Sequence, residues 1–370
     1  MQVPYFRYPH IFQQQREEIL AAMIPVMERG AYINQAELQE FEKEIAAFVN
    51  AKHAIGVGNA TDALLMALLA AGIRPGDEVL VPSHTFIATA AAVKHSGARP
   101  VLVDCGSDHL IDPGSAAASI TARTRAIVPV QLNGRTANMD AIGALAHKHN
   151  LLIIEDSAQA LGSKFKGKSA STFGAAGVFS FYPAKVLGCF GDGGVVITND
   201  DEIARKVHLL RDHGRDATLD VQVWGFNSRL DNLHAAVMLV KLRIYPQEIE
   251  RRREIARRYR ARLQDIAELT LPPGPDNDPD HFDIYQNYEM ESIRRDELRA
   301  YLGQNGVGTI IQWGGKAIHQ FPALGFQHLQ LPETDRLFQR CFMLPMNTSL
   351  TDQEVDYICD VIHRFFAKQA

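Results

Sequence analysis

The chain has 370 residues, more than one average domain of about 150, and 46% of them are hydrophobic, enough for a large core. Its 38 basic and 43 acidic residues give a formal net charge of −5, which argues against nucleic acid and an anionic membrane surface as partners. Four cysteines without CxxC spacing argue against a zinc or iron–sulfur site and a disulfide scaffold, so no metal is expected.

The N-terminus, Met1-Gln2-Val3-Pro4-Tyr5-Phe6-Arg7, is too polar for a secretory signal. No apolar run approaches the ~20 residues of a membrane span, so a cytoplasmic protein is expected. Residues 1–50 read as helical, with Leu38, Phe41, Ile45 and Phe48 at three- and four-residue steps. From about 55 to 200, short apolar runs alternate with helical patterns. Strands are predicted at Val79–Val81, Val101–Val103, Ala126–Val130, Leu152–Ile154, Val178–Ser180 and Val195–Ile197. Helices are predicted at Thr61–Ala71, Phe86–His95, Met139–His149 and Glu202–Arg211. Unalternated Val/Ile/Leu strands between helices indicate an α/β fold whose mainly parallel sheet is covered on both faces.

After about 240 the pattern changes. A charged helix near Pro246–Asp265 leads to the Pro/Gly/Asp-rich stretch 271–279, a loop signal. The rest reads as α+β and closes with a helix from Asp352 to Phe366, capped by Thr351 or Asp352. The expected division is a large α/β domain over 1–245 and a smaller C-terminal α+β domain over 246–370.

Chemistry concentrates in two segments. In Phe179-Ser180-Phe181-Tyr182-Pro183-Ala184-Lys185-Val186-Leu187-Gly188, followed by Gly191-Asp192-Gly193-Gly194, one lysine occupies a turn of small residues flanked by aromatics. In Glu155-Asp156-Ser157-Ala158-Gln159, an aspartate ends the apolar run Leu151–Ile154. It should therefore lie at the carboxyl end of a central strand, where open α/β sheets bind ligands. Pyridoxal phosphate (PLP) chemistry needs such a pair: an amine for covalent attachment and a carboxylate to keep the pyridine nitrogen protonated. Gly56-Val57-Gly58-Asn59-Ala60-Thr61-Asp62 ends an apolar segment and opens a helix. Its free N–H groups suit a phosphate, although a Thr61 N-cap explains the same residues.

Together these motifs resemble the DegT/DnrJ/EryC1/StrS family of nucleotide-sugar aminotransferases, within the fold-type I PLP enzymes. The resemblance covers about residues 20–365. It implies that Lys185 holds the cofactor and moves the proton between Cα of the amino donor and C4′. It also implies that Asp156 pairs with the pyridinium nitrogen, Ala158 packs on the ring, Gln159 approaches the ring hydroxyl, and Phe86 stacks on the ring. Ala60, Thr61 and Ser180 would hold the phosphate, joined by Asn227 from a neighbouring subunit, which makes a homodimer with shared active sites. Where relatives carry Gly-Thr-Asp-Ala-Leu, this chain has Ala60 for the glycine.

The segment Gln312-Trp313-Gly314-Gly315-Lys316-Ala317-Ile318-His319-Gln320 departs most from the family pattern. In relatives it lines the sugar pocket, which makes Trp313, Lys316 and His319 substrate-binding candidates; core packing accounts for Trp313 equally well. His84 reads as structural. The implied reaction takes the amine of L-glutamate, by way of pyridoxamine phosphate, to a keto-deoxysugar on a nucleotide, dTDP by family prevalence, at C3 or C4. The products would serve glycan (lipopolysaccharide or O-antigen) or natural-product biosynthesis. Competing readings are a PLP-dependent sugar dehydratase, disfavoured by Lys185 and the scattered cysteines, and a non-catalytic PLP-binding regulator, disfavoured by the lack of a basic DNA-binding module.

Overall fold

In the computed structural model, residues 1–367 are described; the last three residues of the expected C-terminal domain, 368–370, lie outside them. Helices at Tyr8–Gln13, Arg16–Glu28 and Ala36–Val49 precede the first strand, β1 (His53–Val57). The stripe of Leu38, Phe41 and Ile45 is buried, and the Phe41 ring meets Phe181 edge-on at 5.2 Å. Strands β2 (Glu78–Pro82), β3 (Arg99–Val103), β4 (Thr124–Ile127) and β5 (Leu152–Asp156) follow. A small hairpin of β6 (Lys164–Phe165) and β7 (Lys168–Ser169) precedes β8 (Ala176–Ser180) and β9 (Gly194–Thr198).

Seven of these strands form one sheet in the order β1-β9-β8-β5-β4-β2-β3. The pairs β2–β3, β2–β4, β4–β5 and β5–β8 are parallel, and β8–β9 and β1–β9 are antiparallel. Alternate residues of one strand feed two separate clusters. Val79 and Val81 join the core under the helix Ala60–Ala70, while Leu80 joins the core with Met139 and Ile142. That is why these strands carry apolar residues without alternation. The predicted strand over Ala126–Val130 stops at Ile127, because Pro129 cannot donate to the ladder; Val130 returns only as an isolated bridge to Asp156. The sequence reading missed β1, whose five residues include Gly56, and the helix Asn232–Leu242.

A charged helix, Tyr245–Leu263, leads to a second, antiparallel sheet. Its strands are β10 (Leu269–Thr270), β12 (Tyr288–Ser292) and β13 (Cys341–Leu344), while β11 (His281–Phe282) pairs back onto β6. Helices Arg295–Gln304, Pro332–Arg340 and Asp352–Ala367 complete this part. Thr351 caps the closing helix reciprocally: its Oγ1 accepts from the Glu354 N–H and its own N–H donates to the Glu354 carboxylate. One apolar cluster spans Ile255, Tyr259, Tyr288, Phe342 and Ile358, and it also takes in Val3 from the N-terminus. Among the described residues no helix is long and apolar enough to cross a membrane.

The topology fixes where ligands can sit. β2, β4, β5 and β8 run parallel, and two antiparallel steps bring β1 back to the same direction. The carboxyl ends of β1, β2, β5 and β8 therefore share one edge of the sheet. Each continues into a segment singled out above: Asn59–Thr61, Ser83–Phe86, Asp156–Gln159 and Ser180–Lys185.

Candidate active site

Asp156 ends β5 and is buried. Its Oδ2 accepts from Thr89 Oγ1 at 2.7 Å and its Oδ1 from the Ala158 N–H at 3.1 Å. Thr89 is bonded in turn to Thr85 Oγ1 at 2.8 Å. Burial raises the Asp156 pKa, and these hydrogen bonds and the charge of Lys185 oppose that rise. Neighbouring Glu155 projects to the other face of the strand. There it accepts from Gln131 Nε2 at 2.9 Å and from the N–H groups of Ser171 and Phe173 at 2.8 and 2.6 Å. The two adjacent acids thus have separate tasks. Glu155 organises the loop before β8, and Asp156 faces the ligand edge.

Lys185 lies in the tight turn after β8, where its N–H donates to the Tyr182 carbonyl at 2.8 Å. A Cβ at Gly188 would stand 2.7 Å from the carbonyl oxygens of Tyr182 and Pro183, so the turn closes only around glycine. Gln286, a hundred residues on, clamps this turn from outside. Its Oε1 accepts from the Val186 N–H at 2.9 Å, and its Nε2 donates to the Ala184 carbonyl at 2.8 Å. Burial lowers the Lys185 pKa to about 8, and the charge of Asp156 pulls the other way.

At the end of β1 the helix Ala60–Ala70 begins. Its cap is Asn59 rather than Thr61: Asn59 Oδ1 accepts from the Asp62 N–H at 2.8 Å. Ser228 locks the turn, accepting from the Gly58 N–H at 3.0 Å and donating to Asp62 Oδ2 at 2.7 Å. The first-turn N–H groups of Ala60 and Thr61 have no intrahelical acceptor. Gly194 lets β9 pass against them, since a Cβ there would lie 2.5 Å from the Asn59 carbonyl carbon. Ser180 pairs with Gly194 across the ladder, which brings its hydroxyl beside the helix start.

Phe86 precedes the helix Ile87–His95 and is 53% exposed, with its ring on the same edge. Ala158 and Gln159 are half-buried. Gln159 Oε1 accepts from the Asn133 N–H at 2.8 Å. These groups fit PLP: an amine of lowered pKa beside a carboxylate, an uncovered aromatic ring, and open N–H groups at a helix N-terminus for a phosphate.

The other expected site residues make contacts of their own. Asn227 is exposed and bridges backbone-to-backbone with Asp212. Trp313 is half-buried, its ring 5.2 Å from His84 and 6.2 Å from Phe338. Lys316 is exposed, 5.9 Å above the Phe321 ring. His319 is buried; its Nδ1 bonds Ser83 Oγ at 2.8 Å and its Nε2 bonds Asp335 at 3.1 Å. Its contacts brace the segment 317–320 against the loop that carries Phe86. His84, read as structural, is buried with Nδ1 on the His109 carbonyl at 2.9 Å. The sequence reading missed Thr89, Ser228, Gln286 and Asn133, each of which acts on a neighbour across a long sequence gap.

Comparison with known proteins places this arrangement. The family model described as the DegT/DnrJ/EryC1/StrS aminotransferase family matches residues 13–363. A "Pleiotropic regulatory protein" of Geobacillus stearothermophilus is 38% identical over 99% of both chains. A dTDP-3-amino-3,4,6-trideoxy-alpha-D-glucose transaminase of Streptomyces venezuelae is 37% identical over 98% of this chain and 96% of its own. Among solved structures, S. venezuelae DesV in complex with a ketimine intermediate superposes with a TM-score of 0.95, at 37% identity over 100% of this chain and 99% of the other.

Proposed function

Because the chain belongs to the DegT/DnrJ/EryC1/StrS aminotransferase family of PLP-dependent enzymes, we propose that it transfers an amino group from L-glutamate to a nucleotide-linked keto-deoxysugar. The favoured carrier is dTDP, in keeping with the transaminase relative, and the carbon is C3 or C4. The amino sugar then enters glycan or natural-product synthesis in the cytoplasm. The observation that carries this reading is the Lys185 amine, brought to a pKa of about 8 by burial, beside the buried Asp156. The regulatory name of one relative does not displace catalysis, since a transaminase is 37% identical over 98% of this chain.

When bound, the cofactor supplies an electron sink for the donor's Cα. This chain's residues do the rest. Neutral Lys185 would take the proton from Cα and return it at C4′, across the intervening nitrogen. Asp156, held by Thr89 and the Ala158 N–H, supplies the negative charge that keeps the pyridine nitrogen protonated. The N–H groups of Ala60 and Thr61 and the Ser180 hydroxyl bind the phosphate, Phe86 and Ala158 enclose the ring, and Trp313, Lys316 and His319 border the sugar. Asn227 serves the phosphate of a second copy, making the enzyme a homodimer. Its loop carries Trp224, 98% exposed, with Leu219 and Val221 also bare, an apolar surface that a partner would cover.

The deciding experiment incubates the holoenzyme with glutamate and a panel of dTDP- and UDP-linked 3- and 4-keto-hexoses, with mass and NMR analysis of products. An amino sugar formed together with 2-oxoglutarate is expected. No transfer to any member would refute the reading, and a fully active monomer in light scattering would refute the shared site.

A further inference from the structure

Beneath the cofactor edge lies a buried polar network that the proposed reaction does not use. Glu289 on β12 is buried and takes three hydrogen bonds, with His84 Nε2 a further 3.9 Å from its Oε1. Its Oε1 accepts from Gln312 Nε2 at 2.9 Å, and its Oε2 accepts from Asn133 Nδ2 at 2.9 Å and from His109 Nδ1 at 3.0 Å. His109 is gripped between two carboxylates, since its Nε2 lies 3.0 Å from Glu291. Both ring nitrogens therefore donate, and the ring is an imidazolium. Those carboxylates raise its pKa to about 9 against the cost of burial, while the Glu289 pKa is lowered.

An ionised carboxylate can only accept. That fixes the sense of every amide above it. Asn133 must turn Nδ2 down to Glu289, so its Oδ1 faces the donors Asn287 Nδ2 at 2.9 Å and Gln312 Nε2 at 2.8 Å. The second hydrogen of Asn287 Nδ2 reaches Gln159 Oε1 at 3.4 Å, and the Asn133 N–H reaches the same oxygen at 2.8 Å. With its oxygen held by two donors, Gln159 has only its NH2 free toward the ligand edge.

We propose that Glu289 is a positioning residue: acting through the Asn133 and Asn287 side chains, it adds a second donor to the Asn133 backbone N–H on Gln159 Oε1, so that the amide turns its NH2 to the cofactor's ring hydroxyl. The inference rests on the proposed placement of Gln159 at the ring hydroxyl. A donor there favours the ionised ring oxygen, and hence the visible absorption band of the bound cofactor. A neutral amide at position 289 could donate as well as accept, so the side-chain part of the relay would lose its fixed sense and only the backbone N–H would still hold Gln159.

The test uses the full-length holoenzyme and reads the ratio of visible to near-ultraviolet absorbance and the cofactor Kd, beside melting temperature. Gln159→Leu should lower the ratio and weaken cofactor binding about fivefold, the scale of one net hydrogen bond. Glu289→Gln should move both the same way by a smaller factor. Glu291→Gln, which touches His109 but not the relay, should change neither. If Gln159→Leu leaves the spectrum unchanged, Gln159 is not at the ring and the underlying reading fails. If Gln159→Leu shifts it but Glu289→Gln does not, the relay alone is overturned. A Glu291→Gln effect as large as that of Glu289→Gln would also overturn it, since loosened packing would then be the cause. Should Glu289→Gln not fold, Asn287→Ala removes the second donor with the ion pair intact, and an unchanged spectrum there overturns the proposal.

Discussion

Two lysines belong to the segments proposed to meet cofactor and sugar, and only one is equipped for chemistry. Lys185 sits at the shared edge of the parallel strands, where burial brings its pKa to about 8 and Asp156 stands nearby. Lys316 lies on the rim segment after Gly314 and Gly315, exposed to solvent, with the Phe321 ring 5.9 Å from its amine. The floor around Lys185 is built from strand ends fixed by the sheet and locked by Gly188 and Gln286. The rim is held by a few contacts to distant elements, such as His319 to Ser83. Desolvation and a fixed counter-charge turn a lysine into a reagent, and neither is available on the rim.

The sharpest way to break that contrast is to remove each amine in turn. Lys185→Ala should lower turnover by about a thousandfold or more, the scale for loss of a covalent and proton-transfer group, while cofactor still binds through the remaining contacts. Lys316→Ala should leave kcat within about twofold, since a solvated charge contributes little. Steady-state kinetics on both variants, with cofactor content measured, decides it; retained turnover in Lys185→Ala would reverse the ranking.

On the floor itself, Asp156→Asn should slow the glutamate half-reaction by about a hundredfold, in the range of other buried electrostatic groups, and Asp156→Glu should slow it less. The amide still accepts from Thr89 but carries no charge. Glutamate keeps the charge and misplaces it by a methylene. Single-turnover rates normalised to bound PLP separate the two, and equal rates for Asp156→Asn and wild type would remove Asp156 from the mechanism.

A third measurement probes the lysine's environment directly. Only the neutral amine attacks an aldehyde, so capture of PLP by the apo chain should accelerate about tenfold per pH unit below 8 and level off above it. The sign follows from the lowered pKa: burial releases the proton earlier, so the plateau comes sooner. An ordinary lysine would keep accelerating to about pH 10.4, and such a profile would mean that the turn does not desolvate Lys185.

The contrast also explains what could be read from the chain beforehand. The Lys185 and Asp156 segments were legible because each is one continuous stretch in which an apolar run ends on a reactive group. The parallel sheet followed from its unalternated strands. Gln286 was not legible, since its clamp on the lysine turn appears only when β12 and its approach fold back across a hundred residues. Tyr288-Glu289-Met290-Glu291 alternates like a strand with one wet face, yet both faces are buried because His109 and Arg336 neutralise the acids. The cap at Asn59 instead of Thr61 was a matter of two residues of register. For the rim, the bond of His319 to Ser83 was not legible, since Ser83 stands 236 residues earlier in the chain.

A modest effect on KM belongs to Trp313, where the two regions meet. The residue adopts a left-handed φ of 51° and leaves part of its ring uncovered while the rest packs on His84 and Phe338. A ring used on one side only for packing can stack a sugar or base on the other. Trp313→Ala should therefore raise KM for the nucleotide sugar about threefold to tenfold, in line with about 0.5–1.5 kcal/mol for one aromatic contact, and leave the glutamate half-reaction unchanged. It should also lower the melting temperature by a few degrees, because a gap opens beside buried His84. Trp313→Phe restores packing with less stacking area, so its melting temperature should recover more fully than its KM. If KM stays at the wild-type value in both variants while stability falls, Trp313 is a packing residue, and discrimination among sugars must come from elsewhere on the rim.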